Sequence, residues 1–357
     1  VSRSVKVAII GGGVMGCTTA LSLADRGVHV VVFERAVPGA EASSAAAGIL
    51  GAQAELKGRE ADAAIFVRAR DAWPAWARAL REATGIDVGH RVSGVLCVAR
   101  DEAEHCELAR EVAWQTQRGL TASLIGGAEA RAIEPELGAD FAAAAHFPDD
   151  AQVDPPALLR ALAVMLTRSD RVTLRSGTTV DRLLVERDRC VGVRLDDGET
   201  RADATVLAAG SWSSLVSGVP SAVPVVRPNR GQLVLLDERP PRVRTIVFGA
   251  GSYLVPRGDG RVVCGSTTEN VGFRREVTAA GVHSILSGVL ACVPSLGLAQ
   301  LAATWCNFRP RPESGQPLVG ASPLPGLFLA TGHDRNGILL SKITGDVVAD
   351  AVQSFTG

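Results

Sequence analysis

The 357-residue sequence predicts a mixed α/β (α+β) protein with a Rossmann-like core and a second, strand-rich part. Three observations predict it. An apolar strand pattern, a glycine cluster, a helix pattern and a second strand follow one another within the first 34 residues. Short strand patterns broken by glycine turns fill much of the chain between residues 172 and 265. A second strand–glycine–helix unit stands near the C-terminus, at residues 326–350. The length allows two domains or one large composite domain.

Residues 5–10 (VKVAII) are β-branched and nearly all apolar, as a parallel strand buried on both faces requires. GGGVMG follows at 11–16. Gly11 permits the tight turn, Gly13 lets the backbone approach a pyrophosphate, and Gly16 lets the helix pack on the sheet. The helix pattern runs over 14–26, and its N-terminus offers free N–H groups to phosphates. Residues 28–33 form the next strand, which ends at Glu34. That carboxylate can accept from both ribose hydroxyls and disfavours a 2′-phosphate. A lone glycine motif is weak evidence, but the full order of elements points to a nucleotide site. This segment alone does not separate FAD from NAD.

Three later segments favour FAD. Residues 41–55 (EASSAAAGILGAQAE) are small enough for a backbone to lie flat on a large planar ring, and Ser43 and Ser44 can donate to phosphate oxygens; an Ala-rich helix or loop is the plain alternative. Residues 202–212 (ADATVLAAGSW) read as a strand that returns to the nucleotide and stops at a glycine, with strands at 172–180 and 190–195 flanking the turn Asp196-Asp197-Gly198 as a small meander. In 326–350 a strand at 327–330 passes through Gly332 into a helix from about Ile338, whose N-terminus can face the negative charge of a reduced flavin. A nicotinamide enzyme has no need of this second unit, whereas a long cofactor spanning the molecule does.

Composition excludes several function classes. Hydrophobic residues make up 46%, charged residues 21%, and the net charge is −1, so the chain buries a core and carries no nucleic-acid footprint. The seven cysteines are widely spaced without a C-x-x-C, which argues against disulfides or zinc and fits a reducing cytosol. No His/Glu cluster has metal spacing. No signal-peptide pattern is visible and no stretch approaches the ~20 apolar residues of a membrane span, so a soluble cytoplasmic protein is expected.

Taken together, GGGVMG with Glu34, SSAAAGILGAQAE, SYLVPR, NFRP and GHDRNGILL resemble the D-amino-acid-oxidase superfamily, and within it the glycine oxidase branch, over the whole chain. The resemblance implies a discontinuous FAD-binding domain (1–85, 147–222, 306–357) and a substrate domain on a large mixed β-sheet (86–146, 223–305). Strands within the latter are expected at 230–236, 245–248, 252–256 and 261–265. It implies non-covalent FAD, with Cys306 the nearest candidate for the covalent link some relatives use. Around FAD it places Gly11, Gly13, Val14, Met15, Gly16, Glu34 and Arg35 from the first unit, and Ser43, Ser44, Ala47, Gly48 and Ile49 from the small-residue segment. Val180, Ala209, Gly210 and Trp212 follow, and then His333, Asp334, Arg335, Asn336, Gly337, Ile338 and Leu339.

The implied chemistry is oxidation of glycine, an N-substituted glycine or a small D-amino acid. Hydride passes from Cα to flavin N5 and O2 becomes H2O2. Arg309, a cation in apolar surroundings, would hold the substrate carboxylate with the hydroxyl of Tyr253, the only tyrosine; Arg335 would lie close to flavin and substrate. An internal salt bridge, a core aromatic role and an ion pair with Asp334 are the respective structural alternatives. Because orientation and electrostatics carry this reaction, His333 is not needed as a base and would meet the flavin through its backbone. Asp334, Asn307 and Thr268 depart from the glycine oxidase pattern and, with Ile49, are expected in a more polar substrate pocket. Three other readings stay open: a dehydrogenase subunit that passes electrons to a partner, an oxidase of a larger polar glycine derivative in secondary metabolism, and a non-catalytic flavoprotein. Homo-oligomers would follow family precedent.

Overall fold

The computed structural model describes residues 5–56 and 58–356. The first unit folds as its pattern dictates. The strand Lys6–Ile10 pairs in parallel with His29–Glu34 on one side and with Ala204–Leu207 on the other. Val7, Ala8 and Ile9 are fully buried, which is why no polar residue alternates with them. The finished sheet has six strands in the order Leu318–Ala321, Leu327–Thr331, Ala204–Leu207, Lys6–Ile10, His29–Glu34, Val172–Ser176. Only the Leu318–Ala321 strand runs antiparallel to its neighbour.

The helix Val14–Asp25 lies against the C-terminal helix Gly337–Thr356. A Cβ on Gly345 would stand 2.8 Å from the backbone of Thr18, so the glycine sets how closely these helices approach. At the head of the first helix a Cβ on Gly16 would stand 1.9 Å from the Gly11 carbonyl oxygen.

The expected strand at 172–180 needs correction. Val172–Ser176 extends the parallel sheet beside His29–Glu34, and Gly177, at φ +68, breaks the chain before the meander begins. The meander proper is Val180–Glu186, Arg189–Leu195 and Gly198–Arg201.

The second sheet is mixed and has eight strands, in the order Gln300–Pro312, Val226–Asp237, Arg261–Gly265, Ser252–Pro256, Ile246–Gly249, Val95–Ala99, Ala143–Phe147, Ser123–Gly126. The helix Ala279–Cys292 packs on it through Ile285, Val289 and Cys292, and Thr278 caps that helix by accepting from the Gly281 amide. A domain boundary at 306 would cut the strand Gln300–Pro312 in half. That strand pairs with Val226–Asp237 along its length, which puts residues 306–312 in the large sheet.

Two buried polar groups fix the segments that run between the sheets. Asp150 accepts from the amides of Gln53 and Ala54 and lies 3.5 Å from Arg70, while Gln53 holds Arg70 and Gln115 through its side chain. This network fixes the turn that carries Glu55. Burial pushes the Asp150 carboxyl up to about 7. Arg257, the last residue of SYLVPR, donates to Gln152 Oε1, the Val153 carbonyl and the Ala47 carbonyl at 2.6–2.8 Å. Arg257→Met leaves three buried acceptors without a donor and is expected to cost about 3 kcal/mol. A lowered urea midpoint with an unchanged m-value would register it.

Candidate active site

One cavity of about 570 Å³ runs between the two sheets. Its far end is built by the first strand–turn–helix unit. Gly11 adopts φ +104, and a Cβ there would meet the Ala208 carbonyl oxygen at 2.5 Å, so only glycine makes this turn against the neighbouring strand. The glycine at the N-cap, Gly13, has no side chain to block approach to the helix amides, and Ser43 Oγ accepts from the Val14 amide at 3.0 Å. Glu34 is buried at the end of its strand and accepts from the Gly12 and Ala36 amides at 2.8 Å each.

Arg35 and Trp212 line the wall beyond Glu34. The Arg35 guanidinium lies 3.8 Å over the Trp212 ring and pairs with Glu41 at 2.5 Å. Trp212 also stacks on Phe273 at 5.0 Å and meets Phe308 edge-on. Arg275 reaches Glu41 from the large sheet's side. Nothing local in the sequence signals this cluster, because its members come from five separate segments.

At the near end, the strand Gln300–Pro312 presents Asn307 and Arg309 to the cavity, and Ser252–Pro256 presents Tyr253. Both Arg309 and Tyr253 lie over glycines. A Cβ on Gly231 would stand 2.5 Å from the Arg309 guanidinium, and one on Gly265 would stand 2.5 Å from the Tyr253 hydroxyl. Arg309 donates to the Thr267 carbonyl at 3.1 Å and to Ser266 Oγ at 2.6 Å. Among the described residues it makes no ion pair, and the Tyr253 hydroxyl makes no hydrogen bond. A half-buried guanidinium held only by neutral acceptors is the electrostatic complement of an anion. Asn307 Oδ1 accepts from the Phe308 amide, which turns its NH2 group away from that bond.

Arg335 is committed elsewhere. It forms a bidentate pair with Glu55, at 3.0 and 2.9 Å, and not with Asp334. The Glu55 charge holds Arg335 above the ordinary arginine range. Glu55 also lines the cavity and was not assigned a role from sequence; its partner lies 280 residues away.

Val14, Met15, Ala47, Gly48, Ile49, Val180, Ala209 and Gly210 line the cavity, as do His333, Asp334, Asn336, Gly337 and Ile338. Gly16, Ser44, Leu339 and Thr268 do not. Gly16 packs the turn. The Ser44 hydroxyl turns back to the Glu41 carbonyl. Leu339 is buried on the helix side, where its carbonyl accepts from Trp73 Nε1. Thr268 is exposed, and it is the Thr267 carbonyl that faces the site by accepting from Arg309. Cys306 is also outside the lining.

His333 is buried with Nε2 2.9 Å from Thr344 Oγ1, and burial lowers its pKa to about 3. Its folded-state value therefore lies below the unfolded value of about 6.5. The native state binds fewer protons, so stability is present above that value and lost as pH falls toward 3. Between pH 7 and pH 5 this group alone is expected to cost about 2 kcal/mol. Denaturation of the cofactor-loaded protein and of His333→Gln at both pH values checks it, since the variant should lose most of that difference.

No helix among the described residues is long and apolar enough to cross a membrane. A family model described as FAD dependent oxidoreductase (DAO) matches residues 6–351. The glycine oxidase of Geobacillus kaustophilus is 37% identical over 97% of this chain and 92% of its own. A crystal structure of glycine oxidase from Geobacillus kaustophilus superposes with a TM-score of 0.92 at 36% identity, covering 98% of this chain and 95% of that one. An iminodiacetate oxidase from a Chelativorans species has a TM-score of 0.84 at 27% identity, over 98% and 95% of the two chains.

Proposed function

Because the chain belongs to the DAO family of FAD-dependent oxidoreductases, we propose that it oxidises the Cα–N bond of a small amino acid or N-substituted glycine, with O2 as the electron acceptor. The observation that carries this reading is the pair of unsatisfied groups at the near end of the cavity. Among the described residues the Arg309 guanidinium joins no ion pair and the Tyr253 hydroxyl makes no hydrogen bond, and both line one space. A substrate carboxylate satisfies both.

The far end fits FAD. The glycine turn leaves room at the helix N-terminus for a pyrophosphate, and Glu34 stands where a ribose needs an acceptor. Gly13, Val14, Met15 and Ser43 would hold the phosphates. When bound, FAD supplies the acceptor for the hydride equivalent that leaves Cα. With Cys306 outside the lining, non-covalent binding is the reading the geometry favours.

The protein's own contribution is orientation. Arg309 and Tyr253 fix the carboxylate and so aim Cα. Arg335, neutralised by Glu55, closes the wall as part of an ion pair and leaves the carboxylate to Arg309. His333 does not act as a base: it is buried, neutral, and bonded to Thr344. Among the described residues no cysteine is joined in a disulfide, which supports a reducing compartment such as the cytoplasm.

The test is peroxide release by the purified, FAD-loaded protein with glycine, sarcosine, iminodiacetate and small D-amino acids. One H2O2 per amine oxidised is expected. A flavin that the amines reduce without air, but that yields no peroxide in air, overturns O2 as the acceptor. A flavin that no amine reduces overturns the reading as a whole.

A further inference from the structure

The cavity holds a second unpaired charge. Asp334 lines it, and among the described residues its carboxylate accepts no hydrogen bond and joins no ion pair. Its backbone sits in the left-handed region at φ +46, a conformation that costs a non-glycine residue energy and that aspartate and asparagine tolerate best. Glu55, the other carboxylate nearby, is taken by Arg335.

The electrostatic neighbours of Asp334 locate it. They are Arg309, Arg335 and then Arg311. Arg311 is exposed and lies one same-face step outward from Arg309 along its strand, about 6.6 Å. The Asp334 carboxylate thus shares the cavity with the Arg309 guanidinium that the substrate carboxylate would meet. A small molecule that puts its carboxylate on Arg309 and extends toward Asp334 meets an anion that has no donor among the described residues. Such an anion rewards a cation or a hydroxyl and repels a second carboxylate.

We propose that Asp334 is a specificity-determining residue, selecting substrates with a protonated or hydroxyl-bearing group beyond the carboxylate and rejecting those that end in a second carboxylate. The proposal rests on the reading of Arg309 as the carboxylate site. It sets this chain apart from an enzyme for a dicarboxylic amine such as iminodiacetate.

The experiment titrates the FAD-loaded protein with butanoate, 4-aminobutanoate and succinate without air, reading Kd from the perturbed flavin absorbance. The three share a chain length and one carboxylate and differ in the other end. The wild type is expected to bind 4-aminobutanoate about tenfold more tightly than succinate, roughly 1.4 kcal/mol. Asp334→Asn keeps shape and backbone preference but removes the charge, and should shrink that ratio to within about threefold while butanoate affinity stays within about twofold. Asp334→Gly, which suits the positive φ, serves if the asparagine variant does not retain FAD. A ratio unchanged by either variant, or a wild type that prefers succinate, overturns the proposal. Glycine and sarcosine turnover on the same preparations keeps the outcomes apart. A ratio that collapses in a protein oxidising no amine upholds Asp334 and sinks the oxidase reading, whereas an unchanged ratio in an active oxidase does the reverse.

Discussion

Arg309→Leu is expected to lower kcat/KM for the best amine substrate by roughly two to three orders of magnitude, mostly through KM. Two charge-assisted hydrogen bonds to a carboxylate are lost, at about 1.5–2 kcal/mol each. The position is unusual in that no ion pair among the described residues depends on the charge. Among the described residues Arg309 bonds only the Thr267 carbonyl and Ser266 Oγ, so its removal breaks no ion pair, and the fold should survive although Asp334 loses a nearby positive charge. Retained FAD and an unchanged melting temperature, together with a raised KM, separate a recognition role from a structural one. Arg309→Lys should recover only about a tenth of the loss, because an ammonium cannot form the planar double contact. A KM within threefold of wild type in the leucine variant would place the carboxylate elsewhere.

The second large effect concerns the cofactor. Gly16→Ala puts a methyl 1.9 Å from the Gly11 carbonyl oxygen; that oxygen is backbone, and a Cβ has no torsion by which to swing away. Either the helix lifts from the sheet or the turn opens, and in both cases the amides no longer converge on one point. The variant is expected to purify colourless, with FAD affinity lowered about a hundredfold or more, near 3 kcal/mol. Its far-UV circular dichroism should stay close to wild type, because Val7, Ala8 and Ile9 remain buried between strands that the change does not touch. FAD bound stoichiometrically at micromolar concentration would show that the turn has slack the structure does not reveal.

The parts of the molecule legible in the sequence are those whose signal is local. The strand at 6–10, its glycines, the following helix and Glu34 are contiguous, and each residue type answers a steric or electrostatic need of its own position. The C-terminal strand and helix are legible for the same reason. Sequence reading failed where the deciding partner is remote. Val172–Ser176 looks like any β-branched strand, and only tertiary pairing with His29–Glu34 removes it from the meander. Glu55 carries no mark of its bond to Arg335, and Arg257 none of the three acceptors that hold it. Thr268 is exposed rather than in the pocket, and it is Thr267 that two remote residues hold, its hydroxyl accepting from the Gln232 amide and its carbonyl from Arg309.

The glycines beneath Arg309 and Tyr253 give these site residues silent partners. A side chain at 231 would push the Arg309 guanidinium out of its present place, and one at 265 would do the same to the Tyr253 hydroxyl. The exclusion runs one way: losing the arginine frees position 231 to vary, but varying 231 first displaces the arginine. Across homologues that share this sheet, substitutions at the two positions should therefore be ordered in descent. Lineages that have moved to substrates without a carboxylate should show arginine lost before glycine.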